Sequence, residues 1–276
     1  MLTSTIDKRI KRLLGISVLL LIIGKGILHL TANLHFDIIF QSGLAFQKVN
    51  GIILLILAIL PLINSSLLIK KYGLIIFYLA SFIIFIQVYV GYANAGFLPE
   101  QIVECSIQVG IPITYIHVMR GDLNKRRLIF ILQLLVSATF IGHAFYAIGY
   151  HIVPSNFLVL TTNSLQIDTG EAINFLYIIG WIDIICAVLI FIPKIRPYII
   201  WYLIVWGFLT AIARTYAFVH ESNEIAFFIN QVFETIYRLP HGLIPLLIWS
   251  ITMQPTNFQL KNIFKAKSNK MSREFS

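Results

Sequence analysis

Long apolar runs, separated by short basic segments, occupy almost the whole chain. They fall at roughly 13–32, 48–69, 73–95, 102–119, 127–150, 172–193, 198–219 and 239–254. Coiled as a helix rising 1.5 Å per residue, a run of about 20 residues matches the roughly 30 Å hydrocarbon core of a bilayer. Such a helix, apolar on all sides, has no face to offer water. Within hydrocarbon, each backbone N–H and C=O must be satisfied inside its own segment. These constraints predict an all-α membrane protein with eight transmembrane helices. Composition agrees: 58% of the 276 residues are hydrophobic and 12% charged, and the mean hydropathy is +0.84. A soluble domain carries about 25% charged residues.

An even number of spans puts both termini on one side. Most of the 21 basic residues then fall on that side. They are Lys8, Arg9, Lys11 and Arg12; Lys70 and Lys71; Arg120, Lys125, Arg126 and Arg127; Lys194 and Arg196; and the tail residues Lys261, Lys265, Lys267, Lys270 and Arg273. Cytoplasmic loops carry such an excess, so N-in and C-in is expected, in a bacterial inner membrane. The net charge of +9 is spread over loops, which suits membrane orientation and a lipid partner and not nucleic acid. The longest connections, 33–47, 154–170 and 220–237, lie on the outer side. The segment 223–238 reads as an interfacial helix or as an outward extension of the last span. The N-terminal run is too long for a signal-peptide core, and no small-residue cleavage site follows it, so it reads as an uncleaved first span. Cys105 and Cys186 form no C-x-x-C, which argues against dithiol chemistry and a zinc knuckle; packing roles are expected for both.

The two halves of the chain look alike. With an offset of 124, Lys70, Ile75, Ile76, Tyr78 and Leu79 face Lys194, Ile199, Ile200, Tyr202 and Leu203. The first and fifth runs each carry a histidine about three turns in, His29 and His143. The fourth and eighth each carry Glu, then Gly, then Pro: Glu104, Gly110 and Pro112; Glu234, Gly242 and Pro245. The pattern predicts two pseudo-repeated four-helix halves, 1–126 and 127–276, in parallel orientation and joined in one membrane domain.

The stretch "LLGISVLLLIIGKGILHL" resembles the first helix of DoxX-like membrane proteins, an apolar helix with glycines and a lysine in its outer half. "FLYIIGWIDIICAVLIFIPKIRPYIIWYL" resembles their second-to-third-helix segment. The resemblance implies a four-helix bundle for each half and, by association, quinone-coupled redox chemistry. The chain departs from that family in its double length and in lacking the cysteine pairs of its thiol-handling members.

Polar residues inside spans are the strongest functional pointers, because hydrocarbon penalises each of them. Residues three and four apart share a helix face. On that basis Lys25, His29 and Asn33 form one stripe, and Thr139, His143, Tyr146 and Tyr150 another. Gln101, Glu104, Gln108 and Tyr115 form a third. Counted from the basic ends, Lys25, His29, Gln87, His143 and Arg214 sit in the outer half. Glu104, Glu234, Arg238 and His241 enter from the outer side, and Asp183 lies near mid-depth. An outward-opening polar cavity lined by these residues is expected. Glu234 and Arg238 also suit a local i,i+4 salt bridge. Lys25 and Arg214 either line the site or snorkel outward. His29 and His143 read as structural imidazoles, as proton-handling groups, or as the two ligands of a membrane haem.

Small residues around His143 (Gly142, Ala144, Ala147 and Gly149) permit close helix packing and leave room for an isoprenoid ligand. No P-loop, G-x-S-x-G, H-E-x-x-H or dinucleotide fingerprint is present, and no metal site is expected. The leading expectation is a redox-linked or quinone-associated membrane component. Its rivals are a small-solute or ion transporter using the same cavity, and a non-catalytic scaffold for another membrane protein.

Overall fold

A computed structural model describes residues 6–63, 66–219 and 225–253, and they contain helices and no strand. Eleven α-helices follow in order: α1 Lys8–Thr31, α2 Gly43–Ile63, α3 Ser66–Asn94, α4 Glu100–Glu104, α5 Ser106–Arg120, α6 Lys125–Ala147, α7 Ser155–Leu165, α8 Thr169–Leu189, α9 Arg196–Tyr216, α10 Ile225–Arg238 and α11 Pro240–Thr252. A short 3₁₀ turn, Phe36–Ile38, lies between α1 and α2. The tail lysines and arginine of 261–273, and His220, Glu221 and Glu224, are outside the described residues.

Local sequence sets the helix ends. Asp7 caps α1, its carboxylate accepting from Arg9 N, and Asn124 caps α6, accepting from Arg127 N at 2.9 Å. Asp168 and Glu171 form a reciprocal capping box at α8. Gly121 ends α5 at φ 84°, a left-handed position that a side chain resists. At this end of the bundle, His117 and Arg120 bond Asp122 at 2.9 and 3.3 Å. The His117 contact, helped by Arg120, holds the loop carboxyl of Asp122 below its ordinary range.

Among the described residues, five helices are long and apolar enough to cross a bilayer: α1, the Lys71–Asn94 part of α3, α6, α8 and α9. The apolar part of α2, Gly43–Ile59, is shorter. The remaining expected spans are not continuous helices. The fourth breaks at Cys105, between α4 and α5. The segment 225–238 is a helix in its own right, and the chain breaks again at Leu239 before α11. Lys70 and Lys71 belong to α3 and not to a loop, since the helix already begins at Ser66. Lysine is a good helix former, so the charge pair sits in the opening turns. The 154–170 connection also differs from expectation, because most of it is α7.

Packing is selective. Helix α1 lies against α2, and α6 against α8; α3 lies against α5, and α9 against α11. Across the middle, α1 packs on α10 and α6 on α4. Helices α8 and α9 touch each other only lightly. The core between them is aliphatic, with Leu14, Leu21, Ile111, Leu132 and Ile248 fully enclosed. Large apolar side chains also face outward: Ile52 and Ile56 on α2, Ile75 and Phe82 on α3, Ile178 and Ile185 on α8, and Val205 and Ile212 on α9. So broad an apolar surface is the mark of a lipid-facing protein.

Gly142 allows the closest of these approaches. A Cβ there would collide with the backbone of Glu104, so α6 and α4 meet without an intervening side chain. Gly142→Ala is therefore expected to lower stability by about 1–3 kcal/mol, the usual cost of overpacking. A drop in the thermal midpoint of the detergent-purified protein would show it. Gly91→Ala, whose new Cβ would lie at an ordinary 3.5 Å from Gln101, is the control and should leave the midpoint in place.

Candidate functional site

Six helices bring charged or polar side chains to the end of the bundle opposite the α1 N-terminus. Lys25 is near the end of α1, His143 near the end of α6, and Arg214 in the last turn of α9. Glu104 ends α4, Glu234 and Arg238 lie on α10, and His241 is at the start of α11. The breaks at Cys105 and Leu239 let α4 and α10 carry their carboxylates toward α6 and α9.

Arg214 Nη1 meets Glu234 Oε2 at 2.8 Å, and His143 Nδ1 approaches Glu104 Oε2 to 2.9 Å. The other oxygen of Glu104 accepts from Gln101 Nε2 at 3.0 Å, and Gln101 accepts in turn from Tyr146 Oη at 3.2 Å. Lys25 makes no ion pair among the described residues; its ammonium lies 4.1 Å from the centre of the Tyr237 ring. The Arg238 guanidinium lies 5.1 Å from the same ring. His241 Nδ1 donates to the carbonyl of Arg238 at 2.7 Å, which leaves its Nε2 enclosed and unpartnered. The His143 and His241 rings stack with centroids 5.5 Å apart.

Three cations (Lys25, Arg214 and Arg238) and two carboxylates (Glu104 and Glu234) thus share one interior region and influence one another electrostatically. A lone charge at the centre of a membrane helix costs about 2.5–3.5 kcal/mol even on the most lenient scale. Clustering with opposite charges and an aromatic face offsets that cost.

Beside the cluster lies a cavity of about 380 Å³. Its walls are apolar, with Phe140 from α6, Phe157 and Leu160 from α7, Phe175 and Leu176 from α8, and Leu209 from α9. Its polar end is formed by His143, Arg214, Arg238 and His241. Asp183 is also on the wall, its carboxylate accepting from Tyr202 Oη at 2.7 Å and Trp206 Nε1 at 3.2 Å. Leu165 of α7 and Leu209, Ile212 and Tyr216 of α9 line the cavity and are also exposed on the outside, so its mouth opens between α7 and α9.

Of the residues singled out in the sequence, Lys25, Glu104, His143, Arg214, Glu234, Arg238 and His241 come together. Four of them, His143, Arg214, Arg238 and His241, line the cavity with Asp183; Lys25, Glu104 and Glu234 are not on its wall. Glu234 pairs across helices with Arg214, not along its own helix with Arg238. Two residues stand apart. Gln87 is half-buried on α3, off the cavity wall. His29 is fully enclosed, its Nδ1 donating to Lys25 O at 2.8 Å and its ring set edge-on to Phe36. It is not on the cavity wall. The reason is packing: Gly51 lets α2 close directly over His29, and Phe36 folds onto the ring.

Five participants were not singled out. Tyr237, the ring shared by two cations, reads in sequence as one more aromatic in an apolar helix. Tyr202 and Trp206 recur at i,i+4 on α9, a spacing that marks them as one face but not as donors to Asp183. Helix α7 is too short and too rich in Ser, Thr and Asn to register as a span. His151, read as a loop residue, bonds the buried Glu100 at 2.8 Å. Comparison with protein-family models, curated proteins and solved structures finds no match for this chain.

The interhelical pair Arg214–Glu234 should behave as a unit. Arg214→Leu alone is expected to cost about 1–3 kcal/mol, because it leaves the half-buried Glu234 carboxylate without its partner, and the double variant Arg214→Leu/Glu234→Leu should cost less than the sum of the two singles. Chemical or thermal melts of all three variants check it; strictly additive losses would refute the coupling.

Proposed function

We propose that this is an eight-pass integral membrane protein, N-in and C-in in a bacterial inner membrane, whose cavity binds a lipophilic molecule taken up from the bilayer. In this reading α4–α5 and α10–α11 are broken spans, and the two halves are DoxX-like repeats. The matching packing partners support it: α1, α2, α3, α4 and α5 contact one another and the far half as α6, α8, α9, α10 and α11 do. The observation that carries the ligand reading is the cavity itself. It is lined mostly by apolar side chains, with a few charged and polar groups among them, and is open between helices whose outer faces are apolar. Ligand sites are of this kind, mostly apolar with a few convergent polar groups.

A redox role with a quinone as ligand is the second reading. His241 donates through Nδ1, so its neutral ring presents Nε2 as an acceptor, suited to a quinol hydroxyl. The adjacent His143–Glu104 pair is suited to moving a proton.

Mass spectrometry of lipids extracted from the purified protein tests both. A lipophile enriched over bulk membrane lipid, and lost in Thr210→Phe, is expected, since Thr210 lines the cavity. Identical extracts from both proteins would refute the site, and a quinone as the enriched species would favour the redox role. Orientation is checked separately with single cysteines, because native Cys105 and Cys186 are buried. His151→Cys should react with a membrane-impermeant maleimide on intact cells and Arg126→Cys only after permeabilisation; the opposite pattern would invert the topology.

A further inference from the structure

The polar end of the cavity is unevenly matched. Arg214 has Glu234, and His143 has Glu104. The Arg238 side chain has neither a hydrogen bond nor a carboxylate within 4 Å among the described residues, only the face of Tyr237. Its Nε is enclosed, while the guanidinium borders the cavity. The carboxyl on the cavity wall, Asp183, is engaged by Tyr202 and Trp206 and lies beyond ion-pair distance of either arginine. Lys25 adds a third positive charge behind Tyr237. A guanidinium presents a planar fork of donors that fits a carboxylate or a phosphate. In a low-dielectric site, an unmatched cation draws an anion strongly.

We propose that the cavity holds a single-chain amphiphile with an anionic head, the carboxylate or phosphate seated on Arg238 and the chain lying along the apolar wall of α7, α8 and α9. The inference rests on the reading of the cavity as a lipophile site and names the chemistry of its occupant. Arg214 and His241 flank the head. The volume, about 380 Å³, lies at the small end of ligand cavities (about 300–1,000 Å³), which suits one chain and not two. The exposed mouth residues Leu209 and Ile212 let the chain continue into the surrounding lipid.

The test uses the full chain in phosphatidylcholine nanodiscs and follows the fluorescence of bound cis-parinarate. Competitors are decyl phosphate, decanol and decyltrimethylammonium. Parinarate binding displaced by decyl phosphate, and not by decanol or the cation, is expected. Arg238→Gln should weaken parinarate binding about tenfold or more, the loss typical of a charge-assisted hydrogen-bonded pair, and Arg238→Lys should recover part of it. Thr210→Phe should abolish binding. Each variant is compared by size-exclusion profile and thermal midpoint, and Arg214→Gln stands in should Arg238→Gln fail to fold. Displacement by decyl phosphate but not by added decanoate would assign a phosphate head, and equal displacement either head. If decanol competes as well as decyl phosphate and Thr210→Phe still abolishes binding, the cavity takes lipophiles but the anionic-head inference falls. If Thr210→Phe leaves binding unchanged, the lipophile site falls with it.

Discussion

Charges inside this bundle are gathered at one end, where opposite charges and an aromatic ring offset their burial, because hydrocarbon offers neither water nor ions to screen them. That constraint governs how the helices meet. Arg214 on α9 fixes α10 through Glu234, and His143 on α6 meets Glu104 on α4. Lys25 on α1 reaches the Tyr237 ring on α10. These contacts link five helices at one end, while the rest of the interior is mostly apolar, with a few interhelical hydrogen bonds such as Gln133 to the Ile190 carbonyl. Dispersion packing alone leaves helix rotation weakly specified. A handful of obligatory polar contacts removes most of that freedom.

The helix breaks belong to the same solution. A continuous fourth or last span would run its polar residues in a single stripe along one axis. Interruption at Cys105 and at Leu239 lets α4 and α10 take their own directions, so their glutamates reach neighbouring helices. The breaks fall where the chain is well covered by α6 and α1, which shields the freed backbone groups from lipid. Gly142 and Gly24 make these close approaches sterically feasible, the latter by admitting Tyr237 and its backbone against α1.

The two halves share a packing scheme but differ where it matters for a ligand. Beside His29, the space after the first helix is filled by Phe36, Phe40 and Phe46, stacked or tilted within about 6 Å of one another. Beside His143, the corresponding connection is the helix α7, and a cavity remains under it. The two histidines therefore have different surroundings: His29 is sealed by aromatic rings and His143 stacks on His241 at a cavity wall.

The sequence by itself determined the all-helical membrane class, the depth of the polar residues and the end at which they gather. Length, hydropathy and the spacing of charge are one-dimensional quantities, and hydrocarbon acts on them directly. The apolar runs 13–32, 127–150, 172–193 and 198–219 correspond closely to α1, α6, α8 and α9. Only the tertiary structure decided which charges pair. Glu234 has Arg238 four residues away in sequence yet bonds Arg214, twenty residues distant, because α9 and α10 pack side by side. Only tertiary packing enclosed His29 beneath α2 and Phe36, and it alone placed Tyr237 and α7 at the site. Their roles depend on which neighbour occupies the adjoining space, and no pattern along the chain encodes that.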